Sequence, residues 1–131
     1  MSWSSYLEGL RDLRCGIATS AGRVPATFLV AEVDGALVGR VSVRHELNEL
    51  LADTGGHIGF GVRPQHRRRG FATEMLRQSL VIARAAGVDR VLVTCDEDNA
   101  ASATVIERLG GSLEDVRRDP AGVRKRRYWI D

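Results

Sequence analysis

The segment Arg63-Pro64-Gln65-His66-Arg67-Arg68-Arg69-Gly70-Phe71-Ala72-Thr73 concentrates positive charge and then places a glycine directly ahead of a helical pattern. The first turn of a helix leaves N–H groups without intrahelical partners and carries the positive end of the helix dipole. A phosphate is well held there when no side chain blocks its approach. Gly70 supplies that access, Ala72 keeps the next inward position small, and Arg63, Arg67, Arg68 and Arg69 add charge nearby. The pattern is neither a P-loop nor the dinucleotide fingerprint GxGxxG.

Other groups of reactive residues point to less. His45-Glu46-Leu47-Asn48-Glu49 begins like the zinc motif HExxH, but its fifth residue is glutamate and it sits at a strand end. Asp96-Glu97-Asp98-Asn99 with Glu107 imitates the start of a calcium loop, yet Ala101 stands where glycine is obligatory and Ala100 has no ligand oxygen. Cys15 and Cys95 are far apart with no CxxC, which signals neither a disulfide framework nor a zinc site. No metal is expected. Cys95 reads as a small packed residue, and Arg124-Lys125-Arg126-Arg127 as a solvated strand face. A net charge of +2 and an aromatic content of 5% argue against nucleic-acid binding.

The elements that must position these groups are read from periodicity. At 131 residues the chain is expected to form one domain with a single core. No signal peptide and no apolar run near 18 residues is visible, so the expectation is a cytoplasmic protein that spans no membrane. Tyr6, Leu7, Leu10 and Leu13 predict a helix over residues 3–13. Strands are expected over 27–33 and 36–44, joined by the two-residue turn signal Asp34-Gly35. An irregular connection over 47–56 leads to a strand over 57–62. Ala72, Met75, Leu76, Ser79, Leu80 and Ala83 then define an amphipathic helix stopped by Gly87. A buried strand over 90–95, a helix capped by Asn99 and running to about Leu109, and a hairpin of strands over 112–118 and 123–130 complete an α/β (α+β) order.

The segment from Gly56 to Ala72 resembles the acyl-CoA signature of the GNAT N-acyltransferase superfamily, [Q/R]-x-x-G-x-[G/A], met by Arg67, Gly70 and Ala72 behind a strand ending V-x-P. Asn99-Ala-Ala-Ser-Ala-Thr-Val-Ile-Glu-Arg-Leu-Gly110 is similar to its second segment, N-x-x-[A/S] leading to E-[K/R]-L-G. Arg44-His45-Glu46-Leu47-Asn48, Gly55-Gly56-His57-Ile58-Gly59 and Arg127-Tyr128-Trp129-Ile130 resemble a bacterial branch described as acetyltransferases. The resemblance covers residues 26–130 and implies a mixed, mostly antiparallel sheet flanked by helices. It also implies transfer of an acetyl group from acetyl-CoA to a primary amine. The N–H groups of Arg68, Arg69, Gly70, Phe71, Ala72 and Thr73 would cradle the pyrophosphate. The strand over 57–62 would pair with pantetheine where it parts from the strand over 90–95. Phe60 or Val62 would offer an N–H to the thioester oxygen, and Asn99 and Ser102 would contact the pantetheine arm.

Two departures accompany the resemblance. The tyrosine with which many members protonate the departing thiolate is replaced by Ile106, so another group, with Tyr128 and Cys95 as candidates, or water would give that proton. The strand and helix that normally precede the first helix are expected to be missing, which would leave the strand over 27–33 with an open edge and favour a homodimer. The base is sought in His57, where the superfamily often carries it, or in His45 and Glu46 at the preceding strand end. A CoA-sensing or partner-binding module without turnover is the alternative to an enzyme.

Overall fold

A computed structural model describes residues 24–67 and 69–131. The expected helix over 3–13, Cys15 and Arg68 lie outside them. Among the described residues six strands, β1 (Ala26–Val33), β2 (Ala36–Arg44), β3 (Ile58–Val62), β4 (Val91–Asp96), β5 (Ser112–Arg118) and β6 (Arg124–Ile130), form one sheet in the order β1-β2-β3-β4-β6-β5. Every neighbouring pair is antiparallel except β3 and β4. Asp34 and Gly35 join β1 to β2 with φ of 51° and 81°. Positive φ at both positions is the turn geometry that matches strand twist, and it explains the Asp-Gly pair.

Helices α1 (Phe71–Ala85) and α2 (Ala100–Arg108) lie on one face of the sheet. Met75, Leu76, Ser79, Leu80 and Ala83 of α1 are buried, which is the face the periodicity predicts. Buried Ser79 satisfies its hydroxyl by donating to the Met75 carbonyl at 2.7 Å. Alternation puts Val41, Val43, Ile58, Val91, Val93, Tyr128 and Ile130 of the strands beneath these helices. Full burial of a side chain such as Leu76 or Ile106 stabilises the fold by about 1.5–3 kcal/mol.

The opposite face departs from the expected irregular connection. The segment after β2 coils into a turn of π-helix, Leu51–Gly55, closed by the Gly56 N–H donating to the Leu51 carbonyl at 2.6 Å. Asn48 starts it: its Oδ1 accepts the Leu51 N–H at 2.9 Å, and its carbonyl accepts the Ala52 N–H. Long-range bonds then hold the turn in place. Arg127 donates to the Ala52 carbonyl at 2.9 Å, Thr94 to the Thr54 carbonyl at 2.8 Å, and Arg117 pairs with Asp53 at 3.0 Å.

The C-terminal basic run is not the solvated face its composition predicts. Arg127 is 4% exposed and bonds to Glu114 and Asp115 at 2.5 and 2.7 Å. Lys125 pairs with Asp96, and Arg124 with Glu97 at 3.1 Å. The reason is register: the β4–β6 ladder sets Asp96 opposite Lys125 and the β5–β6 ladder sets Asp115 opposite Arg127, with Glu97 one residue past the end of β4 and Glu114 at the irregularity in β5.

Candidate active site

β3 pairs with β2 along its whole length, from Val43↔Ile58 to Gly39↔Val62. Against β4 the ladder has one position, Ile58↔Val93. β4 meanwhile stays paired with β6 from Val91↔Ile130 to Asp96↔Lys125. The sheet is therefore split between its two central strands. Backbone groups alternate sides along a strand. Arg44 N–H donates to the His57 carbonyl at 2.6 Å and Arg63 N–H to the Val38 carbonyl at 2.7 Å, so odd positions face β2. Phe60 and Val62 accordingly turn their amide groups into the split. At its wide end Arg67 folds back, its Nε donating to the Val62 carbonyl at 3.3 Å.

The head of α1 adjoins that wide end. Gly70 is the N-cap, with φ 80° and ψ 2°, and it gives no side-chain hydrogen bond to the first turn. Its carbonyl accepts from Glu74 N–H at 3.2 Å, which leaves the N–H groups of Phe71, Ala72 and Thr73 ahead of the first helical bond. A Cβ at Gly70 would have nothing within 4 Å. The left-handed backbone, not crowding within the protein, is what calls for glycine here. Glu74, the acid of the first turn, is held by Arg77 and Gln78 and so is drawn away from an incoming anion. Arg63 is bonded to the Leu37 carbonyl at 3.3 Å, and Arg69 is exposed.

On the second helix Asn99 caps as expected, its Oδ1 accepting the Ser102 N–H at 3.1 Å. Asn99 is exposed and Ser102 half-buried. Ile106 is fully buried, as befits a core side chain with no proton to give. Tyr128 is 1% exposed on the helix side of β6, opposite Val93, with its hydroxyl 3.5 Å from a Glu107 carboxylate oxygen. Cys95 is buried nearby on β4, and burial pushes its thiol pKa up, so it stays protonated. Glu46 is exposed in the bend after β2. His45 bonds through Nε2 to Thr27 Oγ1 at 2.8 Å and ties the end of β2 to the start of β1.

His57 requires a correction. It lies just ahead of β3 and not within it, and it is 6% exposed. Its backbone N–H donates to the Leu92 carbonyl at 2.7 Å, while its ring Nδ1 accepts the Leu92 N–H at 2.9 Å. That acceptance fixes the neutral tautomer, with the proton on Nε2. Burial, and next the Arg44 charge, hold its pKa below the ordinary value. An imidazole whose one lone pair is engaged cannot take a proton from an amine without breaking this bond. The role of base expected for His57 does not fit the geometry. The ring instead satisfies a buried amide of β4 at the apex of the split.

Sequence reasoning missed this pairing because Leu92 lies 35 positions away. It also missed Arg44. That half-buried guanidinium donates from one nitrogen to the Gly55 and Gly56 carbonyls at 3.2 and 3.3 Å, and burial lowers its pKa. The alternation Arg40-x-Ser42-x-Arg44 on β2, facing Gly59-x-Gly61 on β3, was the available signal.

Comparison with known proteins bears on the family and the fold. Residues 7–112 match the family model of the acetyltransferase (GNAT) domain. An acetyltransferase of Yersinia enterocolitica is 34% identical over 114 residues, covering 84% of this chain and 74% of that protein. The fold is shared with the yncA structure of Salmonella typhimurium, solved with its cofactor acetyl-CoA, at a TM-score of 0.66 and 18% identity over 97% of this chain and 70% of that one. A ribosomal-protein-alanine N-acetyltransferase of Brucella melitensis superposes with a TM-score of 0.68 at 18% identity, covering 96% and 74%. A domain model spanning most of the sequence, and a relative one-third identical across most of its length, place this chain in the GNAT acetyltransferase family.

Proposed function

We propose that this acetyltransferase carries an acetyl group from acetyl-CoA to a primary amine. The observation that supports this most is the parting of β3 from β4 after one ladder position, beside a helix headed by a bare left-handed glycine. The residues fit acetyl-CoA, which when bound supplies the activated acetyl thioester. Phe71, Ala72 and Thr73 offer first-turn N–H groups to the pyrophosphate, with Arg67, Arg68 and Arg69 adding charge. Phe60 and Val62 offer the strand-edge groups that pantetheine amides would pair with, and Asn99 and Ser102 flank the other side. A backbone N–H of Phe60 or Val62 aimed at the thioester oxygen would stabilise the developing oxyanion, a contribution of about 2.7–4 kcal/mol in comparable sites.

Proton transfer falls to other groups. Tyr128, buried on the helix side, is the proposed donor to the departing thiolate. With the lone pair of His57 engaged, Glu46 or a water remains to take the amine proton. The test is calorimetric titration with acetyl-CoA, together with thiol release and mass detection of product across small amines, amino acids, polyamines and peptide N-termini. Binding with amine-dependent thiol release is expected. Binding without release from any class would instead favour a CoA-sensing module, and no binding would contradict both readings.

A further inference from the structure

The face of the sheet opposite the helices carries a pattern that the donor site does not use. Along β2, Arg40, Ser42 and Arg44 point to that face, and their partners on β3 are Gly61 for Arg40 and Gly59 for Ser42. A Cβ at Gly59 would meet Ser42 Oγ at 3.3 Å and the two terminal nitrogens of Arg44 at 3.5 and 3.6 Å. A Cβ at Gly61 would meet nothing within 4 Å among the described residues. The hydroxyl of Ser42 and the guanidinium of Arg44 thus stand over a floor of bare backbone. That floor adjoins Phe60 at the mouth of the split.

Among the described residues the charge on this floor has no counter-ion. Neither Arg40 nor Arg44 forms an ion pair among the described residues, and Arg44 spends only one nitrogen, on two neutral carbonyls. A half-buried guanidinium is best stabilised by a carboxylate or phosphate in reach of its remaining N–H groups. Two of the acids that could have drawn a polycationic acceptor are engaged elsewhere, Asp96 with Lys125 and Glu97 with Arg124.

We infer that the amine acceptor carries an oxyanion group, bound over Gly59 and Gly61 by Arg44 and Ser42 with Arg40 at the outer end. This rests on the transferase reading, and it narrows the acceptor to amines bearing a carboxylate or a phosphate. Arg44 and Ser42 become specificity residues, and the two glycines are the space the anion occupies.

The test compares matched acceptors: β-alanine against β-alaninamide for the carboxylate, and 2-aminoethyl phosphate against ethanolamine for the phosphate. At least one anionic member should exceed its neutral partner in kcat/KM by roughly tenfold or more, the scale of one hydrogen bond to a charged group. The arm with the larger ratio identifies the anion. Gly61→Asp places a carboxylate in open space beside Arg40 and leaves the Arg44 bonds to the Gly55 and Gly56 carbonyls untouched. It should reduce the ratio to near unity, with acetyl-CoA affinity and thermal stability unchanged. Arg44→Gln should also lower the ratio, with the loss in KM rather than kcat. A protein that binds acetyl-CoA and acetylates both members of each pair equally would overturn the inference and leave the transferase standing, as would a preference that survives Gly61→Asp. Failure to bind acetyl-CoA would sink the transferase reading itself. The floor is then probed alone by shifts of the Gly59 and Gly61 amides on adding inorganic phosphate or acetate, and absent shifts would sink the inference too.

Discussion

Gly70→Val is expected to weaken acetyl-CoA binding by at least about thirtyfold, while Arg69→Ala weakens it only a few-fold. Two costs combine at Gly70. A β-branched residue at φ 80° is strained by roughly 1–2 kcal/mol, which pulls the N-cap away from the geometry that aims the Phe71, Ala72 and Thr73 amides. The side chain would also stand in the proposed approach of the pyrophosphate, a space that holds no atom of the described residues within 4 Å of a Cβ. Hydrogen bonds to a charged acceptor are worth about 1.5–3 kcal/mol each, so disturbing one or two accounts for the loss. Arg69 is exposed, and a single screened surface charge contributes about 0–1 kcal/mol. Calorimetric titration separates the two, with Gly70→Asn as a third point because asparagine tolerates the left-handed region. Equal losses for Gly70→Val and Arg69→Ala would contradict the backbone cradle.

His57→Leu is expected to lower stability by about 1–3 kcal/mol, the cost of leaving the buried Leu92 N–H without an acceptor. His57→Gln, whose amide oxygen can accept the same hydrogen bond, should recover most of that and keep turnover within a few-fold of the parent. A catalytic base would behave otherwise, losing turnover in both variants together with the acidic limb of the pH–rate profile. The pH dependence of stability carries the same signature. His57 has a folded pKa below its ordinary value near 6.5, so in the unfolded chain it binds a proton more readily. Its contribution is complete above about pH 6.5 and is lost as pH falls towards the folded pKa. Denaturant unfolding between pH 7.5 and 5 should show the parent losing stability more steeply than His57→Gln. Parallel curves for the two proteins would contradict the tautomer assigned here.

Local signals made much of this fold legible. The helix following Gly70 was readable because its apolar residues recur at helical spacing over four turns, and the first hairpin because Asp-Gly permits the required turn. Two features of the candidate donor site were readable for a related reason. The left-handed Gly70 ahead of α1 and the Asn99 cap of α2 are local backbone features that a glycine and a cap residue report directly. What resisted reading depends on contacts between distant segments. The π-helical turn at Leu51–Gly55 is held by Thr94, Arg117 and Arg127, and nothing in its own five residues announces it. Composition made Arg127 a surface residue, whereas pairing with Glu114 and Asp115 makes it 4% exposed. The state of the His57 ring was unreadable too, because an imidazole looks the same in sequence whether its lone pair is free or engaged.

Amide hydrogen exchange with and without acetyl-CoA tests, residue by residue, whether the backbone of β3 facing the split receives the pantetheine arm. Arg63 N–H is already bonded to the Val38 carbonyl, and Gly59 and Gly61 face β2 in the same alternation, so their protection should change little. Phe60 and Val62 face the split, and protection at one or both should rise by at least about tenfold, together with that of Phe71, Ala72 and Thr73 at the head of α1. Protection gained at the head of α1 with none at Phe60 or Val62 would leave a phosphate-binding helix and contradict a thioester seated between β3 and β4.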